Sequence, residues 1–220
     1  MYKVLAKVLA NRPRKVKNSI IDKEDSLLVK LDFEKAYDSM DHDFLNSMLE
    51  GMGFGRKWRI WIRECISSPL MSVLVNVIPT PQFSVQRCLR QGDHLSPFHF
   101  NIAVDGLNCL LLQATSLDLI SGENFNDNSI HITHLQFVDD TILFLKPKVE
   151  YLLNAKRILR CFELASGLKV NFHKSCMVRV GRAIFNDQTG WAFLFKCKKA
   201  SLPIPFLGFP LGGRPGAKSF

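Results

Sequence analysis

The sequence contains no apolar run of the roughly 18 residues that a membrane-spanning helix requires, and no signal peptide opens it. Its six cysteines form neither a C-x-x-C pair nor a pattern with histidine that is typical of zinc sites. Cysteines arranged in this way are typical of reduced and mostly buried thiols. The sequence therefore predicts an intracellular protein that has no membrane segment and no disulfide framework.

Acidic residues are scarce at both ends of the chain, whose net charge is +9. Residues 1–21 carry a balance of +6, residues 22–140 a balance of −8 and residues 141–220 a balance of +11. Basic ends of this kind can hold a phosphate backbone, and an acidic middle can hold metal ions. A generically basic surface is the alternative, so the charge supports a nucleic-acid partner without identifying it as RNA or DNA.

The acidic pair Asp139 and Asp140 is the most informative feature, because apolar runs rich in β-branched and aromatic residues lie on both sides of it. Runs of this composition predict strands, which places the pair at the tip of a β-hairpin. Adjacent carboxylates repel one another, and a hard divalent cation such as Mg²⁺ removes that repulsion. An ordinary Asp-Asp turn is the alternative interpretation.

Asp32 supplies a further carboxylate far upstream, shortly after the apolar run 27–29, and is expected at the end of a strand. Two-metal phosphoryl transfer needs carboxylates from separate segments that converge on ions about 3.5–4 Å apart. Asp32 together with Asp139 and Asp140 would provide that ligand set. Three other acids precede a segment of helical periodicity and are expected only to cap that helix or oppose its dipole: Asp38, Asp41 and Asp43.

A basic loop that contains glycine, residues 87–93, leads into an apolar helix that begins near Pro97. Gly92 allows a ligand to approach the backbone closely, and Gln91 offers both donors and an acceptor to a nucleotide. A plain connection between a strand and a helix is the alternative interpretation of this loop.

Taken together, these segments resemble motifs A, B and C of the reverse transcriptases of LINE-type (non-long-terminal-repeat) retrotransposons, particularly the plant branch. Motif A is similar to residues 31–38, motif B to residues 89–97 and motif C to residues 137–140. Residues 166–175 resemble motif D, and residues 202–213 resemble motif E, the primer grip. The resemblance covers nearly the whole chain in the order that the family uses.

The resemblance implies an RNA-directed DNA polymerase that transfers nucleotides from dNTP to the 3′-hydroxyl of a DNA primer on an RNA template. It also implies two Mg²⁺ ions, for which Mn²⁺ could substitute. Asp32 and Asp139 would bridge the metals, and Asp140 would be the third acid. Tyr37 would disfavour a 2′-hydroxyl, and Lys174 would protonate the pyrophosphate, although a solvated lysine is the alternative. The resemblance further implies a nucleotide and template pocket and a primer grip: Arg90, Gln91 and Gly92, then Phe206, Leu207 and Gly208.

The periodic segments predict an α+β fold, and the resemblance implies a polymerase palm, a split β-α-β antiparallel sheet with helices on one face. Residues 1–26 would form a residual fingers helix and junction, residues 27–200 the palm, and residues 201–220 a primer-grip-like segment and a truncated C-terminus. We expect shortened fingers and a missing thumb, so this copy would be weak or inactive. A non-catalytic retrotransposon remnant or nucleic-acid-binding module is the alternative, and the resemblance implies a nuclear location.

Periodicity and turn residues also predict the individual elements. Helices are expected over about 3–12, 43–52, 56–66, 97–115 and 148–166, with Gly167 ending the last of them. Strands are expected over about 27–33 and 168–172, as a hairpin over 131–145, and as a pair, 71–77 with 83–89, joined through residues 79–81.

Overall fold

The structure is a computed structural model that describes residues 25–68, 70–84, 87, 89, 94–125, 130–138, 140–181, 188–207 and 209–212. The predicted helix over 3–12 and five of the predicted site residues lie outside these ranges: Arg90, Gln91, Gly92, Asp139 and Gly208. The chain divides into two compact units. The first, called the sheet unit, comprises residues 1–32, 111–158 and 170–220. The second, called the helix unit, comprises residues 33–110 and 159–169.

The described helices are α1 (Ala36–Ser39), α2 (His42–Gly51), α3 (Arg56–Ser67), α4 (Ser96–Ser116), α5 (Val149–Ser166) and α6 (Gln188–Phe195). The described strands are β1 (Ser26–Leu31), β2 (Leu70–Met71), β3 (Leu74–Val75), β4 (Ile78–Pro79), β5 (Phe83–Ser84), β6 (Glu123–Phe125), β7 (Ile130–Ile132), β8 (His134–Phe137), β9 (Asp140–Leu145), β10 (Cys176–Val180), β11 (Lys198–Lys199), β12 (Ile204–Phe206) and β13 (Phe209–Leu211). None of the helices within the described ranges is long and apolar enough to cross a membrane.

A five-stranded sheet in the order β11-β10-β1-β9-β8 forms the centre of the sheet unit. The apolar strand β1 lies in the middle and pairs antiparallel with both β9 and β10. Strands β10 and β11 differ from the predicted antiparallel pattern, because they pair in parallel. The chain returns to the sheet through α6 after β10, and a crossover of this kind brings the next strand back in the same direction. The purely antiparallel prediction was therefore wrong at this edge.

One face of the sheet is covered by the hairpin β12–β13. Ile204 and Phe206 of this hairpin are buried together with residues from the three central strands of the sheet. The sheet contributes Leu28, Ile142, Phe144, Val178 and Val180 to this cluster. Burial of these side chains removes apolar surface from water and so holds the C-terminal hairpin against the sheet.

Helix α2 confirms the prediction that the acids after motif A serve a helix. Asp41 is its N-cap, and its carboxylate accepts hydrogen bonds from the N–H groups of Asp43 and Phe44, each at 3.0 Å. Asp43 lies in the first turn and forms an ion pair with Arg63 of α3 at 3.1 Å. These acids therefore stabilise local structure of the helix unit.

The four longer helices that fall within the described ranges begin and end within one or two residues of their predicted limits. Gly167 follows α5 with a φ of +76°, which confirms its prediction as the residue that ends this helix. The predicted hairpin over 131–145 is confirmed from β8 to β9. Its first residues belong instead to β7, which pairs with β6.

The predicted strand pair between motifs A and B was wrong in its turn. The chain reverses at Asn76 and Val77, whose φ angles are 50° and 69°, and this turn joins β3 to β4. Two-residue hairpin loops of type I′ need positive φ at both positions, and asparagine tolerates that conformation well. The strands β2 and β5 then form a separate short pair farther from the turn.

The predicted strand over 168–172 was wrong except at Val170, which forms a β-bridge. Residues 172–174 form a turn, and the regular strand β10 begins only at Cys176. The side chain of Asn171 accepts a hydrogen bond from the N–H of Lys174 at 3.1 Å. Asparagine side chains stabilise turns through such local bonds, and this one overrides the strand propensity of the preceding residues.

Candidate active site

The pairing of β1 with β9 brings Asp32 and Asp140 to the same end of the sheet. Leu31 pairs with Thr141 at the end of the ladder. Asp32 is the next residue after β1, and Asp140 is the first residue of β9, so continuation of this register sets the two opposite one another. Directly opposed residues point to the same face, with Cβ atoms about 4.5–5.5 Å apart. Two predicted carboxylates that are far apart in the sequence are therefore neighbours.

Asp140, the described member of the acidic pair, lies at the turn end of the β8–β9 hairpin. It is the first residue of β9 and pairs with Phe137, after which Val138 enters the turn. Val138 has a φ of 53°, a left-handed conformation that tight hairpin loops require but that β-branched residues rarely adopt. Asp139 itself lies outside the described residues. Phe137 and Asp140 mark the points at which β8 ends and β9 begins.

Hydrogen bonds from the turn after α5 hold the backbone of Asp32. Its N–H donates to Ser175 Oγ at 3.1 Å, and its carbonyl oxygen accepts from the N–H of Asn171 at 2.7 Å. The hydroxyl of Ser175, which is buried, donates in turn to the carbonyl oxygen of Asn171 at 2.8 Å. Among the described residues, the Asp32 carboxylate makes no hydrogen bond or ion pair. The backbone is thus fixed while the carboxylate remains available for a ligand.

The same turn carries Lys174, which is exposed. Its backbone N–H bonds to Asn171, the residue that also binds the backbone of Asp32. The structure therefore brings Lys174 into the neighbourhood of Asp32 through one turn. Sequence reasoning did not identify Asn171 or Ser175 as supports of the site. The only available signal was the preference of asparagine for turns.

Lys30 contacts Asp140, although sequence reasoning gave Lys30 no role. Its Nζ lies 3.2 Å from Oδ1 of Asp140 and donates a hydrogen bond to the carbonyl oxygen of Pro205 at 2.9 Å. Lys30 also pairs across the ladder with Cys176 of β10. Burial raises the pKa of the Cys176 thiol, and the positive charges of Lys30 and Lys198 oppose that increase. A single ammonium group therefore influences an acid of the site, the C-terminal hairpin and a neighbouring thiol.

In the helix unit, Tyr37 makes contacts through both its ring and its backbone. The ring stacks on Phe100 with centroids 4.9 Å apart and an angle of 24° between the planes. Its carbonyl oxygen accepts a hydrogen bond of 2.6 Å from the N–H of Leu89. Leu89 directly precedes Arg90, the first of the predicted pocket residues that lie outside the described ranges. The segments that resemble motifs A and B are therefore in contact within this unit.

Two of the predicted primer-grip residues, Phe206 and Leu207, lie where β12 ends in a turn. Phe206 is buried in the core of the sheet unit, and Leu207 is partly buried with a φ of 51°. Gly208 lies outside the described residues. Since the ring of Phe206 is enclosed by protein, any primer contact at this position would have to come from the hairpin backbone. The assignment of these residues to a primer stays a prediction.

The described residues contain no group of three or more His, Cys, Asp or Glu side chains that could hold a metal ion. That set does not include Asp139, which is the third member of the predicted ligand group. The two described members, Asp32 and Asp140, offer the carboxylate oxygens that Mg²⁺ prefers, and their separate strands end at one point. The residues therefore fit a divalent cation as far as they are described.

Residues 2–211 match the family described as reverse transcriptase (RNA-dependent DNA polymerase). The chain belongs to the reverse transcriptase family. It is 28% identical over 154 residues to a retrovirus-related Pol polyprotein of the type-1 retrotransposable element R2 from Popillia japonica, which covers 70% of this chain and 21% of the relative. It is 26% identical over 147 residues to the transposon TX1 uncharacterized 149 kDa protein of Xenopus laevis, covering 67% of this chain and 11% of the relative.

The names of both relatives describe proteins of transposable elements. The chain spans about a tenth to a fifth of the length of the curated relatives it matches. Among solved structures, it resembles an apo telomerase from Candida tropicalis truncated from its C-terminal domain, with a TM-score of 0.55 and 17% sequence identity. That match covers 84% of this chain and 36% of the telomerase, and it supports a mixed fold of helices around a β-sheet.

Proposed function

We propose that this chain forms the palm of an RNA-directed DNA polymerase, which adds nucleotides from dNTP to the 3′-hydroxyl of a primer on an RNA template. The observation that carries the proposal is the opposition of Asp32 and Asp140 at one end of the β1–β9 pair, beside the tight loop that contains Asp139. Convergence of carboxylates from separate strands is what two-metal nucleotidyl transfer requires. Membership in the reverse transcriptase family supports the same chemistry.

The proposed roles follow the motif resemblance. Asp32, Asp139 and Asp140 would hold two Mg²⁺ ions, or Mn²⁺ in their place, through carboxylate oxygens. When bound, such ions activate the attacking hydroxyl and stabilise the charge on the leaving group. Lys174 would give a proton from its Nζ to the departing pyrophosphate. The Tyr37 ring would exclude a 2′-hydroxyl, since its stacking on Phe100 limits how far it can turn away.

The pocket for the incoming nucleotide is proposed to contain Arg90, Gln91 and Gly92. The contact of Leu89 with the backbone of Tyr37 supports this assignment, because it brings the residue before this loop next to the proposed sugar gate. Four further assignments are also proposals: the palm architecture, the three domain ranges, the plant branch and a nuclear location. Each of them rests on the motif resemblance alone.

A nucleic-acid-binding module without catalysis is the second candidate, and helix α3 favours it. Trp58 and Trp61 are both about half exposed on this helix. The ammonium group of Lys57 lies 5.3 Å from the centroid of the Trp61 ring. Surfaces that combine exposed aromatic rings with positive charge bind single-stranded nucleic acid by stacking and by phosphate contacts.

Single-nucleotide primer extension on an RNA template distinguishes the two candidates. We expect weak extension that requires Mg²⁺ or Mn²⁺ and that Asp139→Asn abolishes, because the amide keeps the shape of the side chain but removes its charge. The matched control is Asp43→Asn, which removes a carboxylate whose contact is the surface ion pair with Arg63. Its rate should stay near that of the unmodified chain. Equal losses in both variants would contradict the assigned site.

Binding measured with the same chain addresses the second candidate. Salt-sensitive binding of single-stranded RNA without any extension by the unmodified chain would favour the non-catalytic module. In that case Trp61→Ala should weaken binding, whereas Asp139→Asn should not weaken it.

A further inference from the structure

We infer that Lys30 is a positioning residue, which ties the Asp140 carboxylate to the β12–β13 hairpin and weakens the binding of divalent cations at the acidic end of the sheet. This inference rests on the proposed function, because it gives a role to a side chain beside the proposed metal ligands. Its basis is the pair of contacts that the Lys30 ammonium group makes, with Asp140 at 3.2 Å and with Pro205 at 2.9 Å.

The register of the sheet directs Lys30 toward these partners. Lys30 pairs with Ile142 of β9, and Asp140 is two residues before Ile142 on the same strand. Residues two apart on a strand share one face, so Lys30 and Asp140 lie diagonally on the face that the β12–β13 hairpin covers. Strand pairing therefore places the two side chains within reach of one another.

The hairpin leaves a backbone acceptor that Lys30 satisfies. Pro205 pairs with Pro210 across the β12–β13 ladder. Neither proline has a backbone N–H, so the two form a non-hydrogen-bonded pair, in which the carbonyl oxygen of Pro205 points away from β13. The Lys30 ammonium group donates to that oxygen. One side chain thus links Asp140 to the hairpin that the motif resemblance assigns to the primer.

Partial burial strengthens the electrostatic interaction between Lys30 and Asp140. The side chains of Lys30 and Asp140 are 22% and 32% exposed. Electrostatic interactions at such depth are stronger than those in open water, where exposed ion pairs contribute little. A cation held on Oδ1 of Asp140 competes with a divalent ion for the same carboxylate. Removal of its charge should therefore tighten the binding of metal to the acidic end of the sheet.

A second ion pair on the same sheet provides a matched control. Arg179 of β10 lies 3.1 Å from Asp25, which precedes β1, and their side chains are 16% and 15% exposed. This pair is at the opposite end of β1 from Lys30 and Asp140. It has similar geometry and more burial, so its loss should cost stability without affecting an ion at Asp32 and Asp140.

The test measures the dissociation constant of Mn²⁺ by electron paramagnetic resonance on the full chain, without primer or nucleotide. We expect Lys30→Met, which keeps the aliphatic stem, to bind Mn²⁺ about tenfold more tightly or more. Lys30→Arg keeps the charge and should stay within about twofold of the unmodified chain. Arg179→Met should keep the unmodified affinity although it melts at a lower temperature. Lys30→Gln, which is uncharged but still polar, replaces Lys30→Met if that variant does not fold.

Each outcome supports the inference or overturns it. Unchanged or weaker Mn²⁺ binding by the uncharged Lys30 variants would overturn the role of Lys30 and leave the metal centre standing. An equal change in Arg179→Met would also overturn it, because the effect would then be a general one on stability. If the unmodified chain binds Mn²⁺ no better than Asp32→Asn does, the proposed centre fails and the inference fails with it.

Discussion

Replacement of Gly167 by alanine should destabilise the helix unit much more than the same replacement at Gly53. Both glycines have positive φ, +76° at Gly167 and +83° at Gly53. A Cβ atom at Gly167 would overlap the carbonyl oxygen of Ser39, whereas a Cβ at Gly53 would have no atom within 4 Å. The two variants therefore share the conformational cost and differ in the steric one.

The expected magnitudes follow from these two terms. An L-residue in the left-handed region lowers the free energy of unfolding by about 1–2 kcal/mol. Replacing glycine also reduces the conformational entropy of the unfolded chain, which raises the free energy of unfolding by about 0.4–1 kcal/mol. Gly53→Ala should therefore lower the free energy of unfolding by about 1 kcal/mol. At Gly167 the backbone must also move away from Ser39, next to the hydrogen bond of 2.9 Å from the N–H of Asp41 to the carbonyl oxygen of Ser166. Loss of that bond adds about 0.5–1.5 kcal/mol, which gives about 1.5–2.5 kcal/mol in all.

Urea denaturation followed by circular dichroism measures both variants against the unmodified chain. The Gly167→Ala curve should have a lower midpoint than the Gly53→Ala curve, with similar slopes. Equal midpoints would refute the close approach of Gly167 to Ser39, and with it the packing of the segment after α5 against the end of α1.

Three further predictions concern single residues. Val138→Gly should raise the free energy of unfolding by about 0.5–1 kcal/mol in thermal melts, because the relief of a left-handed valine exceeds the entropy cost of glycine. Asp41→Ala should lower it by about 1 kcal/mol through loss of the α2 cap, and an unchanged urea midpoint would contradict that role. Burial lowers the pKa of His134 from 6.5. As the pH falls, His134 therefore takes up a proton at a higher pH in the unfolded chain than in the folded one. Its contribution to the free energy of unfolding is complete above pH 6.5 and decreases below that pH. His134→Gln should remove that part of the pH dependence in denaturation curves.

The sequence by itself determined the local structure around the candidate site. The tight loop at Asp139 follows from two apolar, β-branched runs around an acidic pair, because each run favours an extended backbone and aspartate favours the turn. The limits of the main helices follow from apolar periodicity, the Asp41 cap and Gly167. Such features depend on interactions between residues only a few positions apart, so they can be predicted from a short window.

Only the tertiary structure decided which distant segments meet. The bonds from Asn171 and Ser175 to Asp32, and the contacts of Lys30 with Asp140 and Pro205, depend on strand order and register. Register follows from the arrangement that buries the most apolar surface of all the strands together, and no single segment carries that information. For the same reason the sequence left Lys30 without a role, although motif A begins at the next residue, and did not predict that Phe206 would be buried.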